Sequence, residues 1–228
     1  MEHDRNAAPF NPLPPVVWAM VLGLLGIEVL LQAGAHGLIG GPEAVGWRQS
    51  LIHRFGFSGA IWEWMVETRR FGVENLLRFV TYPLLHGGLV HVGFVAVLLL
   101  ALGKAVGEAL RGWAVLAVAL AGSAAGALVY ASLRPEATWL FGGYPAVFAL
   151  VGAYSVLLWT EAEGQGGRRL RAFGLVATLL AIRIALGLWV GVSSDWIADI
   201  AAFATGFGLA FLLVPGGWRR LLARLRAR

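Results

Sequence analysis

Long apolar blocks are the feature of this sequence that most restricts its fold. Among its 228 residues, 58% are hydrophobic and only 14% are charged. A soluble domain of this size would carry about a quarter charged residues. Because each membrane-spanning helix needs about 20 apolar residues, the blocks predict an all-α integral membrane protein.

Six segments are apolar and long enough to be predicted as transmembrane helices. They cover residues 16–34, 86–103, 112–133, 143–160, 171–191 and 196–215. We therefore expect one membrane domain over residues 16–215, between a cytoplasmic tail (1–15) and a basic cytoplasmic tail (216–228). The first tail is polar and proline-rich and lacks the pattern of a cleaved signal peptide.

The distribution of lysine and arginine predicts the orientation in the membrane. With six helices and an inner N-terminus, the inner segments hold eleven of these residues and the outer segments six. This excess favours both termini in the cytoplasm, and we expect the membrane to be a bacterial cytoplasmic membrane. Since the arginines lie beside apolar blocks, we expect the basic tails to contact anionic lipids and expect no nucleic acid partner.

The first outer loop, about residues 35–77, is long and mixes aromatic residues with arginines. Its stretch IWEWMVETRRFGVENLLRF has the composition of a segment at the headgroup level of a membrane. We expect an amphipathic segment that lies in the outer interface.

Few side chains in the sequence are suited to metal or redox chemistry. The chain has no cysteine, which excludes disulfides and thiolate catalysis. His86 and His91 are five residues apart, whereas metal-binding pairs on a helix are usually four apart with a carboxylate nearby. The two histidines are either packed interior side chains or part of a reaction site, and we expect no metal and no cofactor.

Two charged residues lie deep inside predicted helices. Glu28 and Arg183 each stand about twelve residues into their segments, which places them at a similar depth. Buried ionisable groups in membranes are normally paired. Asp199 is shallower but within reach of an arginine side chain, and a snorkelling Arg183 is the other alternative.

Three motifs, in order, resemble those of the rhomboid intramembrane serine proteases. They are Arg78-x-x-Thr81 followed by HGGLVH (86–91), GGYP (142–145) followed by AVFALVGA, and ADIAAF (198–203) with Gly206 in step. The resemblance covers about residues 75–215. It implies a six-transmembrane-helix rhomboid-like bundle with a long interfacial first loop.

The resemblance also implies that the usual catalytic groups have been replaced. Rhomboids use a serine on the fourth helix, a histidine on the sixth and an asparagine on the second; these positions hold Tyr144, Asp199 and Val95. His86 and His91 are retained. Nucleophilic catalysis needs a nucleophile within hydrogen-bond reach of a base, and none of the other candidate serines follows a Gly-x-Ser-Gly turn: Ser123, Ser132, Ser155, Ser193 and Ser194.

We therefore expect a rhomboid-like pseudoprotease that binds transmembrane partners without cleaving them. One alternative is an accessory or assembly subunit of a larger membrane complex. The other is an active intramembrane protease with a non-standard site formed by Tyr144 and Asp199.

Tyr144 is expected to lie at the outer mouth of a central cavity. A buried phenol normally finds a hydrogen-bond partner, and Asp199 is the first candidate, with His91 the second. The small residues that follow are expected to face each other across two helices, because close approach in lipid relies on small side chains; they are Ala146, Ala149 and Ala153 on the fourth helix and Ala202 and Gly206 on the sixth.

Overall fold

The structure is a computed structural model that describes residues 13–134, 139–161, 173–190 and 195–214. Nearly all of the predicted N-terminal tail and all of the predicted C-terminal tail lie outside these ranges, as do Ser193 and Ser194.

Each predicted apolar segment coincides with a helix. The α-helices of the described residues are α1 (Pro15–Ala35), α2 (Trp47–Phe55), α3 (Gly59–Thr68), α4 (Val73–Thr81), α5 (Leu89–Leu110), α6 (Gly112–Leu133), α7 (Tyr144–Glu161), α8 (Gly174–Val190) and α9 (Trp196–Leu213). Among them, α1, α5, α6 and α9 are long and apolar enough to cross a membrane, and Tyr144–Thr160 forms a shorter apolar helix. The largest boundary error concerns α5, which was expected at 86–103 but runs from Leu89 to Leu110. Its start is delayed because Gly88, with φ 157°, has a backbone conformation outside the helical region.

The segment between α1 and α5 folds into several short elements, some of which pack on α6. It contains α2, α3, α4 and two 3-10 helices, Pro42–Gly46 and Tyr82–Leu84. A short strand, β1 (Phe57–Ser58), pairs antiparallel with β2 (Trp139–Leu140). Phe57, Met65 and Phe79 are buried in one cluster with Ala127 and Tyr130 of α6. The stretch predicted as interfacial therefore buries one of its faces in the protein.

Helices α6, α7 and α9 pack closely through glycine and alanine. A Cβ added to Gly206 of α9 would collide with the carbonyl oxygen of Ala149 on α7. A Cβ added to Gly126 of α6 would lie 2.7 Å from the carbonyl oxygen of Ala198 on α9. The expected meeting of the small-residue faces is confirmed, with Ala149 and Ala202 fully buried.

Helix α8 is attached to the bundle much less closely. None of its described side chains is buried. Leu175, Leu179 and Leu180 are only partly buried against the core. The side chains that the structure describes on α8 therefore contribute little buried packing.

Gly206→Ala should lower stability, because the new methyl group collides with the backbone of α7 and over-packing costs about 1–3 kcal/mol. The temperature at which the detergent-solubilised protein loses its monodisperse peak measures the effect. Gly208→Ala is the matched control, since among the described residues no atom from outside its own stretch of helix lies within 4 Å of its added Cβ. Equal losses for both variants would show that the α7–α9 contact does not limit stability.

Candidate functional site

A glycine turn brings the start of α7 against two histidines. Gly142 has φ 110°, and a Cβ on it would lie 2.6 Å from Cε1 of His91. A Cβ on Gly143 would lie 2.6 Å from Cγ1 of Val95. The Gly143 N–H donates to Nε2 of His86 at 3.3 Å. Only glycine permits this approach, because a side chain at either position would occupy the space of His91 or Val95.

The two histidines contact each other at this turn. Their rings meet edge to face, with centroids 4.9 Å apart. The Gly87 N–H points at Nδ1 of His91, 3.4 Å away. Nε2 of His91 is buried and has no hydrogen-bond partner among the described residues. The structure thus keeps both retained histidines in the site.

Tyr144, the first residue of α7, lies in this site with its ring half-buried. It stacks on the ring of His91, with centroids 5.1 Å apart and planes 20° apart. The guanidinium carbon of Arg183 lies 4.2 Å from the centroid of the Tyr144 ring, a cation–π contact. Tyr144 therefore lies beside His91, the second candidate partner, but contacts it by stacking and not by a hydrogen bond.

Asp199 binds Arg183 and not Tyr144. Nε of Arg183 donates to Oδ2 of Asp199 at 2.8 Å. The expected bond between Tyr144 and Asp199 is wrong, because a charged guanidinium is a stronger donor to a carboxylate than a phenol is. Asp199 is fully buried, and its Oδ1 has no hydrogen-bond partner in the described part of the chain.

Glu28 pairs with Arg48, a residue that the sequence analysis did not select. The two terminal nitrogens of Arg48 donate to the two carboxylate oxygens of Glu28 at 2.9 and 2.7 Å. Gln32 adds a third bond, from Nε2 to Oε1 at 2.8 Å. Arg48 also donates to the backbone carbonyl of His86. The similar depths of Glu28 and Arg183 therefore did not indicate a pair. Because a buried acid in a membrane helix needs a partner, Glu28 was the signal that could have pointed to an arginine of the basic loop.

An apolar crevice of about 90 Å³ lies beside the glycine turn. Its lining includes Met20, Leu24, Pro83, Leu99, Ser123 and Gly143. Tyr144 does not line it, so the crevice is separate from the polar contacts made by Tyr144. Such an apolar lining suits hydrocarbon better than a polar ligand.

The described residues contain no group of three histidine or acidic side chains close enough to hold a metal ion. The polar groups of the site instead form a continuous series of contacts: His86 with His91, His91 with Tyr144, Tyr144 with Arg183, and Arg183 with Asp199. These contacts fix the positions of the five side chains. They also leave Nε2 of His91 and Oδ1 of Asp199 without a hydrogen-bond partner among the described residues.

The family model described as "Rhomboid domain" matches residues 73–216. The chain belongs to the rhomboid family. No curated protein matches the sequence. With its apolar helices, family membership makes the chain an integral membrane protein.

The rhomboid positions discussed above are close in space. Tyr144, at the serine position of the resemblance, directly follows the Gly142–Gly143 turn, and Val95, at the asparagine position, lies against Gly143. Asp199, at the histidine position, is connected to Tyr144 through Arg183. The three positions that the resemblance singles out therefore lie around one site.

Arg183→Met should destabilise the protein by about 3 kcal/mol, because it leaves the buried Asp199 carboxylate without its partner. Adding Asp199→Leu should recover most of the loss, because replacing both members of a buried pair by apolar groups is often neutral. Thermal unfolding of the purified protein in detergent measures both changes. Unchanged stability in Arg183→Met would mean that the pair does not hold α8 to α9.

Proposed function

We propose that this rhomboid-family protein is a pseudoprotease that binds transmembrane partners and does not cleave them. The observation that carries the proposal is the hydrogen bond between Arg183 and the buried Asp199. It occupies the side chain at the position where the resemblance places the catalytic base. Oδ2 of Asp199 is thereby bonded to a guanidinium, and neither carboxylate oxygen accepts a hydrogen bond from Tyr144 in the described part of the chain.

The geometry of Tyr144 supports the same proposal. Its ring lies almost parallel to the imidazole of His91. An imidazole nitrogen accepts a proton in the plane of its own ring, whereas a stacked phenol lies above that plane. The two side chains therefore lack the hydrogen bond by which a base activates a nucleophile.

The candidate serines that lie within the described residues offer no evident replacement for the nucleophile. The hydroxyl of Ser155 donates to the carbonyl oxygen of Val151 at 2.9 Å, and that of Ser132 donates to Leu128 at 2.8 Å. Both are bonds to the preceding turn of the same helix, which is an ordinary arrangement for serine in a membrane helix. Ser123 is buried beside the apolar crevice.

Retention of the helical packing supports a binding role. Close glycine contacts hold α6, α7 and α9 together, whereas α8 has no buried side chain among those described. A partner helix can therefore approach the site beside α8 without disturbing the closely packed helices. We infer that the retained fold serves to present this side of the bundle to other membrane proteins.

Purified protein incubated with a transmembrane rhomboid substrate should yield no cleavage product, because the site lacks a nucleophile paired with a base. An active rhomboid in the same detergent is the positive control, and gel analysis followed by mass spectrometry is the readout. Product formation that Tyr144→Phe abolishes would contradict the proposal.

In a native-detergent pull-down, the protein should recover intact transmembrane proteins, and the ratio of each one to the protein should vary and stay below one to one. Recovery of one complex at fixed stoichiometry would instead favour an assembly subunit.

We further propose that all six long helices cross the membrane and that both termini face the cytoplasm of a bacterial cell. The excess of inner over outer arginine and lysine residues supports this orientation. Reporter fusions at each end should be active only if the reporter functions in the cytoplasm. An external signal from the C-terminal fusion alone would require an odd number of crossings and would overturn the arrangement.

A further inference from the structure

The ion pairs Glu28–Arg48 and Arg183–Asp199 differ in how many of their polar atoms have a hydrogen-bond partner. In the Glu28–Arg48 pair, Gln32 donates to the carboxylate and the carbonyl of His86 accepts from the arginine. An amide N–H and a carbonyl oxygen from the same chain thus complete that pair.

Among the described residues, no amide N–H donates to Asp199 and no carbonyl oxygen accepts from Arg183. Oδ1 of Asp199 is buried without a partner. The hydrogen bond of Arg183 to Asp199 uses only Nε, and guanidinium carries four further N–H donors on its terminal nitrogens. Because lipid supplies no hydrogen bonds to replace them, the pair offers one acceptor and several donors to an incoming group.

The charge of the pair restricts which group can fill both sites. A carboxylate would be attracted by Arg183 but repelled by Asp199, and an ammonium group would meet the opposite problem. In a medium of low dielectric such repulsion is strong. A carboxamide is neutral and carries an N–H donor and a carbonyl acceptor, which are the two groups that complete the Glu28–Arg48 pair.

The position of the pair leaves it open to another helix. The Arg183 side chain remains 22% exposed, and its neighbour Ile182 is 50% exposed. A partner helix that packs beside α8 can therefore reach Arg183 directly, and Oδ1 of Asp199 becomes accessible when the Arg183 side chain shifts.

We propose that Arg183 and Asp199 recognise transmembrane partners that carry an asparagine or glutamine within the apolar segment. The carboxamide oxygen accepts from the terminal nitrogens of Arg183, and the carboxamide nitrogen donates to Oδ1 of Asp199. This inference rests on the proposed binding of transmembrane partners and names the chemistry by which they are selected.

Synthetic leucine–alanine transmembrane helices with one central guest residue provide the test. Each fluorescent peptide is added to the full-length protein in lipid nanodiscs, and energy transfer gives the apparent Kd. The Asn peptide should bind about three- to tenfold more tightly than the Leu peptide, as expected for one or two interhelical hydrogen bonds. The Asp and Lys peptides should gain less than the Asn peptide.

Two variants separate this recognition from general helix association. Arg183→Lys retains a positive charge for Asp199 but lacks the planar terminal nitrogens, so it should lose the preference for Asn over Leu. Ile182→Ala, an exposed neighbour on the same helix, should retain the preference.

The outcomes distinguish this inference from the function on which it rests. Equal binding of the Asn and Leu peptides by the unaltered protein would overturn the carboxamide recognition and leave partner binding intact. Persistence of the Asn preference in Arg183→Lys would also overturn it. Binding of no peptide at all would count against the proposed function itself.

Discussion

A buried charge in a bilayer needs a partner from the protein itself. This requirement accounts for the two ion pairs that connect helices in the structure. Glu28 and Arg48 join α1 to α2, and Arg183 and Asp199 join α8 to α9. Charge pairing therefore adds connections where apolar packing alone provides little directionality, since lipid tails are as apolar as the helices they surround.

The turn before α7 is where backbone geometry and side-chain chemistry meet. Gly142 and Gly143 allow the chain to pass within contact distance of His91 and Val95. The same turn then places Tyr144 on the ring of His91. The close approach at this turn therefore depends on the two glycines and not on the side chain of residue 144.

The positions of the long helices could be predicted from sequence because apolar length is a local property. The contact between Gly206 and Ala149 could be predicted as well, since small residues recur on one face of each helix. The Glu28–Arg48 pair was missed because hydropathy does not determine how a loop folds back onto a helix. The β1–β2 pairing was missed too, since two-residue strands are too short to show an alternating pattern.

The Tyr144–Asp199 bond was predicted wrongly for a different reason. The prediction considered only which positions face each other in rhomboids, and it left Arg183 with several possible roles. The guanidinium interacts with both residues at once, through its Nε with Asp199 and through its carbon with the Tyr144 ring. Competition among donors for one buried carboxylate depends on the positions of three helices, which no single stretch of sequence contains.

The separation of Glu28 from Arg48 has a consequence for biogenesis. Arg48 follows Glu28 by 20 residues, so Glu28 leaves the ribosome while its cationic partner is still inside the exit tunnel. The nascent helix must enter the translocation channel with an unpaired acid. The mean hydropathy of α1 is 2.1, and its many aliphatic side chains can offset that cost until the following loop folds back. The apolar character of α1 thus serves membrane insertion before it serves packing.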